Sequence, residues 1–425
     1  AGGTVDIESD GGALNLTGSI DGAGVSLESN LAAGEIILAG NVDANAGDVS
    51  LIAAGRNVTT LKSITQTAGI ITSAGTLSGS SQSQVDLIQA NNIAQLGPFS
   101  ASALSFELNN LGRGNNALTL VGDIGAATDI ALTTSGLLDL STFDVSSSTG
   151  LIKLTGVGVS QAAGSSVSST SGNSSAASDA DKGGLHIDGG GAAITLAGSL
   201  STGNSGLAAS NINAILVKNA STVQLGDVSA ASGRFTIGLN VDGQRITGQT
   251  TQATNTSVSA RELEIYSGGS VSLFNASNTI TTLNSANTEG GLSLRDSAGG
   301  LILAGDILEA GNGDVNVITE SGPLSVGIND ITATGTGSIA LTGEGINTAK
   351  TDLDTSVIDA GSGTITLDGD SAGVTLAGDL TTTHNTNGSI TIKDATALSL
   401  SNVTTGANGS LTLGISAGSE GVGAV

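Results

Sequence analysis

Cysteine, methionine and tryptophan are absent from all 425 residues, proline occurs twice (Pro98 and Pro323), and aromatic residues make up 1%. An interior for this chain must therefore come from Leu, Ile, Val and Ala, which excludes the aromatic-rich core of an ordinary globular enzyme of this size. Without thiols there is no disulfide framework, a composition that fits export through an oxidising compartment. No stretch of about 20 apolar residues exists, so no helical membrane span is expected.

Positive charge is also scarce. Twelve Lys and Arg stand against 37 Asp and Glu, a formal charge of −25, and the basic residues are scattered. A nucleic-acid backbone needs a basic stripe, so nucleic acid is excluded as a partner. The spread of acid along the chain favours solubility and repulsion between copies. His186 and His384 are the only histidines. They are far apart in polar phrases, and no Gly-x-Ser-x-Gly lies between a buried strand and a helix, so no catalytic residues and no cofactor are assigned.

What is abundant is glycine, 65 residues, and it recurs in phrase. Gly47-Asp48-Val49-Ser50-Leu51 returns as Gly313-Asp314-Val315-Asn316-Val317, Gly337-Ser338-Ile339-Ala340-Leu341, Gly363-Thr364-Ile365-Thr366-Leu367, Gly388-Ser389-Ile390-Thr391-Ile392 and Gly409-Ser410-Leu411-Thr412-Leu413. From Gly313 on, the starts are 24, 26, 25 and 21 residues apart. A companion phrase reads Leu38-Ala39-Gly40-Asn41-Val42 and Leu303-Ala304-Gly305-Asp306-Ile307. A period in the twenties is that of a solenoid.

Inside each phrase apolar and polar residues alternate, which gives a short strand with one side inward. Glycine at positive φ and Asp, Asn or Ser bonding their own backbone are expected to turn the corners. One such coil cannot bury its apolar edge alone, so coils must stack with parallel pairing. The expected fold is all-β, a parallel β-helix of roughly 18 coils of about 21–26 residues, forming one rod over residues 1–425 on the order of 90 Å long. Residues 160–182, rich in Ser, Ala and Gly, read as a loop excursion, and 243–257 as a longer corner.

Calcium is the one ligand the acids suggest. Asp368-Gly369-Asp370 and Asp352-Leu353-Asp354 pair carboxylates closely, but the Gly-Gly-x-Gly-x-Asp nonapeptide of calcium coils is missing and turn bonding accounts for the acids more simply. Thr364-Ile365-Thr366 and Thr381-Thr382-Thr383 suggest a threonine face, yet the outward positions vary too much for a regular one. The aromatic residues Phe99, Phe106, Phe143, Phe235, Phe274 and Tyr266 are expected inside the rod or at its corners. Sequons such as Asn57-Val58-Thr59 arise by chance in a chain so rich in Ser and Thr.

The run Gly47-Asp48-Val49-Ser50-Leu51-Ile52-Ala53-Ala54-Gly55-Arg56-Asn57-Val58 resembles the repeats of filamentous-haemagglutinin-type adhesins and autotransporter passenger domains, and the likeness extends over nearly the whole chain. That resemblance implies a right-handed β-helix exported to a bacterial cell surface, where it has a structural and adhesive role. A separate secretion-signal domain has no counterpart in the sequence. Both termini read as repeat without a cap, so the chain is expected to be a piece of a longer solenoid or a subunit that stacks end to end. Expected partners are copies of itself or adjacent β-helical coils, a host or neighbouring-cell surface, or a matrix polysaccharide. A carbohydrate-active β-helix is the rival from another class, and a groove of clustered acids with basic or aromatic companions would be its mark.

Overall fold

In the computed structural model, residues 2–10, 12–30, 34–53, 63–173, 182–203, 212–230, 232–297, 299–351, 354–414 and 422–424 are described. They form an all-β parallel β-solenoid of about 16 turns. The only helical element among them is a 3-10 turn at Leu111–Arg113. The chain falls into two compact units, Ala1–Ala220 and Ser221–Val425.

In the first unit the strands stack as three parallel ladders. One joins Val5–Ser9, Val25–Ser29 and Val49–Ala53 in register, with Val5 on Val25 on Val49 on Leu77. Two residues further along the same strands, the row that starts at Leu51 continues through Gly79, Phe99, Ile124, Val145, Val167 and Leu200. A second runs from Leu14 through Ile36, Ile64, Val85, Phe106, Ile130, Ile152, Leu185 and Ile215. The third includes Leu118, Leu138, Val159 and Ile194.

The second unit repeats the scheme. Val271, Leu292, Val315, Ile339, Ile365, Ile390 and Leu411 form one continuous inward row. Ile307, Ile331, Ile358 and Leu380 belong to another. Most of these side chains are fully buried, and each contributes roughly 1.5–3 kcal/mol by leaving water.

Turns are fewer than the roughly 18 expected because several are long. Ile152 pairs with Leu185 and Leu185 with Ile215, and those two turns include residues 174–181 and 204–211. The expected excursion at 160–182 is in part ordinary coil. Val159–Gln161 and Ser166–Ser169 are ladder strands, and Val167 is wholly buried. Serine could serve there because Ser169 sits inside the wall and its hydroxyl donates to Gly150 O at 2.6 Å. The stretch 243–257 likewise contains the strand Thr250–Gln252 between its bends.

Two expectations about the repeat phrase need correcting. Its leading glycines do not all serve a left-handed corner. A Cβ on Gly363 would lie 2.0 Å from Gly337 O, and one on Gly337 would lie 2.1 Å from Gly313 O, with neither backbone in the positive-φ region. Glycine is required because successive coils touch backbone to backbone at this edge.

Acids ahead of a strand, after the glycine at Asp48 and Asp314 and after Phe143 and Asn329 at Asp144 and Asp330, do more than close their own turn. Asp48 Oδ1 accepts from the Thr76 amide at 2.8 Å, Asp144 Oδ1 from Ser166 at 2.7 Å, Asp314 Oδ1 from Ser338 at 2.8 Å and Asp330 Oδ1 from Val357 at 2.8 Å. Each bond joins one coil to the next, at a strand start where the ladder leaves an amide unpaired. The expected own-backbone bonding occurs elsewhere, as in Asp359 Oδ1 accepting from Gly361 N at 2.9 Å.

The aromatic residues divide. Phe99, Phe106 and Phe235 are buried, the first two with ring centroids 4.9 Å apart. Phe274 is half-buried at the surface with the Arg295 guanidinium 5.9 Å from its ring centre, and Phe143 is also only half-buried.

Candidate functional site

On the outer face of the second ladder of the first unit, register brings together residues scattered in sequence. Asp86 stands beside Glu107, Glu107 beside Ala131, Ala131 beside Lys153, and Lys153 beside His186. They line up because each occupies the second position of its strand, where the side chain points out between two inward aliphatics. Neighbouring rungs are about 4.8 Å apart, so Glu107 and Lys153 face each other across the short side chain of Ala131 with Cα atoms about 10 Å apart.

That gap is a cleft of about 340 Å³ lined by Glu107, Asp129, Ala131, Thr133, Lys153 and Asn173 among others. Its polar walls are positioned by the coil. Asp129 Oδ1 accepts from Leu151 N at 2.7 Å. Asn173 is fixed by two backbone bonds with Gly183, at 2.7 and 2.8 Å. Ile130 and Leu151 form the buried base behind the polar face.

The electrostatics are uneven. Partial desolvation holds the Asp86 carboxyl above the usual carboxylate range, although Gln84 Nε2 donates to its Oδ2 at 2.6 Å. Glu107 is raised too, first by desolvation, then by the charge of Asp86, with Lys153 pulling the other way. The row is negative at one end and positive at the other, with an uncharged notch between them.

Sequence reasoning assigned no site here, because none of these residues forms a local motif. The available signal was the spacing: Asp86 and Glu107 occupy the same place in successive coils, and Lys153 the same place two coils later. Of the two histidines, His186 joins this row. His384 lies in the second unit, with Nδ1 2.8 Å from Ser362 O and Nε2 2.7 Å from Thr386 Oγ1.

Several other charged groups form pairs. Arg234 contacts Glu262 at 3.0 Å and Glu264 at 3.1 Å, Arg261 also reaches Glu262, and Tyr266 Oη donates to Glu264 at 3.0 Å. The Tyr266 phenol is raised, chiefly by burial. Asp368 pairs with Lys393 at 3.0 Å and accepts from Asp370 N at 3.2 Å. Asp370 is pushed up by desolvation and then by Asp368, Asp394 and Glu344.

Among the described residues no three acidic, His or Cys side chains converge as metal ligands. Asp352 and Leu353 of the second suggested calcium pair, and the Asn57-Val58-Thr59 sequon, lie outside the described residues. Thr366, Thr391 and Thr412 do align across three coils, but the row continues into Ala340 and Asn316. No helix among the described residues is long and apolar enough to cross a membrane.

Comparison with protein-family models, curated proteins and solved structures finds no match. The functional reading therefore rests on the fold and the geometry of its surface.

Proposed function

We propose that this chain is a non-catalytic, right-handed structural solenoid that works outside a bacterial cell, as a stalk or filament segment of a surface adhesin. The observation that carries the reading is how its acids are used. Carboxylates such as Asp48, Asp144, Asp314 and Asp330 are committed to holding one coil to the next, so the outward charge reinforces the stack, as a load-carrying element requires. Its partners are further β-helical coils, of its own kind or a neighbour's, and surfaces or polysaccharides reached through its outer residues.

Single-molecule pulling tests the mechanical role. A stalk should yield in steps of roughly one to a few coils at forces that fall when Asp314 and Asp330 are both replaced by Ala. A single abrupt collapse at low force, indifferent to those substitutions, would sink the reading. Immunolabelling of intact source cells tests the location, and label appearing only after permeabilisation would refute it.

A second reading, a carbohydrate-active enzyme, draws on the row Asp86, Glu107, Lys153 and His186. Two neighbouring carboxylates held above their usual range are the kind of group that acid–base cleavage of glycosides uses. Release of reducing ends or unsaturated products from a polysaccharide panel, lost in Glu107→Gln, would establish it over the structural role.

A further inference from the structure

Three features of the cleft over Ala131 restrict what can occupy it, whether or not the chain is a stalk. Its volume, about 340 Å³, is at the lower end of small-ligand sites. Its lining supplies hydroxyl and amide groups from Thr133, Thr155 and Asn173 beside one lysine. No aromatic residue lines it, so it offers no stacking platform for a neutral sugar ring.

The third feature is the charge. Glu107 and Asp86 are on adjoining rungs, and Asp129 lines the same cleft, against one Lys153. Burial is the first cause that lifts the Glu107 carboxyl, and beside it the charge of Asp86 counts for more than the opposing charge of Lys153. The whole chain carries −25. An acidic sugar would meet net repulsion, whereas an ammonium group placed at Glu107 relieves it.

We propose that the cleft between Glu107 and Lys153 binds an amino sugar with a free amine, as one unit of a glucosamine-type glycan. The ammonium sits at Glu107 with Asp86 behind it, the ring lies over Ala131, and ring hydroxyls meet Thr133, Thr155, Asn173 and the Lys153 ammonium. The notch at Ala131 is what admits the ring: any larger outward side chain would fill it. No bond is made or broken in this assignment.

The test is calorimetric titration of the full chain with a tetramer of β-1,4-linked glucosamine, alongside the equivalent glucose tetramer and a tetralysine peptide. Glucosamine tetramer should bind more tightly than glucose tetramer by about tenfold, the factor that 1.4 kcal/mol supplies. Ala131→Leu should weaken it about tenfold or more by filling the notch, and Glu107→Gln should bring its affinity down to that of the glucose oligomer. Circular dichroism melting checks that both variants keep the fold, and Lys153→Met, a separate change at the far wall, should cost binding without removing the preference for the amine. Equal binding of the glucose and glucosamine tetramers, or glucosamine binding untouched by Ala131→Leu, overturns the assignment. Tighter binding of tetralysine than of the amino sugar also overturns it and makes the occupant a basic segment of a protein.

Discussion

Gln66 and Asn91, one coil apart and both buried, exchange two side-chain hydrogen bonds: Gln66 Nε2 donates to Asn91 Oδ1 at 2.8 Å, and Asn91 Nδ2 donates back to Gln66 Oε1 at 3.0 Å. The same Asn91 oxygen accepts from Ile71 N at 2.8 Å, which closes a corner of the coil. The second unit repeats the device with Gln252 and Asn278, at 2.7 and 3.1 Å, where Asn278 Oδ1 also accepts from Val258 N at 2.8 Å. Two amides that satisfy each other inside a dry wall stabilise little in net terms, but either left alone is costly.

Asn91→Leu should therefore destabilise the first unit by about 1–3 kcal/mol, because the Ile71 amide and the Gln66 side chain lose their partner together. Combining it with Gln66→Leu should cost less than the sum of the single changes. A urea-denaturation double-mutant cycle reads the difference, and simple additivity would show that the pair does not act as a unit.

Gly363→Ala puts a methyl against Gly337 O, 2.0 Å from where its Cβ would stand. The coils must part locally, at a cost of about 1–3 kcal/mol typical of overpacking. Hydrogen exchange should quicken in the strand starting at Ile365 and its neighbours. Ala at Gly125, whose Cβ site has only the Ser146 hydroxyl at 3.7 Å, should leave exchange unchanged.

Asp314→Ala removes the acceptor for the Ser338 amide and should cost about 1 kcal/mol, while Asp314→Asn keeps an oxygen there and should lose less. Thermal melting of the two variants orders them. If Asn is as damaging as Ala, the charge of the acid matters more than its hydrogen bond.

Asp86 and Glu107 give a pH dependence of defined sign. Their folded-state carboxyls lie above the ordinary range, so folding favours their protonated forms. Their contribution to stability is gained as pH falls from the raised values toward the unfolded ones, and is lost again above them. Because both groups are open to solvent, the effect is small. Asp86→Asn and Glu107→Gln should each raise stability at neutral pH by no more than about 0.5 kcal/mol, with the gain absent well below the carboxylate range. Chemical denaturation at neutral and acid pH measures it, and a loss of stability at neutral pH in either variant would contradict it.

The alternation in Val315-Asn316-Val317 and Ile365-Thr366-Leu367 made the strands and their inward faces legible, and the recurrence of the phrase made the stacking legible. Register was not. That Asp86, Glu107, Ala131, Lys153 and His186 share one outer row depends on coil lengths that vary from turn to turn, and a count along the chain drifts across them. The coil content of 160–169 is hidden because Val167 is the one large apolar residue buried there, while Gln161, Ser165 and Ser169 occupy interior positions that composition assigns to a loop. The Gly-Asp pair was read as a local turn because its partner amide lies more than twenty residues away.

Those distant bonds share a direction. In Asp48 to Thr76, Asp123 to Asp144, Asp306 to Asp330 and Asp314 to Ser338 the acceptor is always on the earlier coil and the donor on the later one. A coil that has just formed thus holds out carboxylates that only chain still to come can engage. For these four acids each following coil supplies the amide that the coil before it can accept from, whereas Asp296 and Glu344 accept from Ile280 N and Gly322 N of earlier chain.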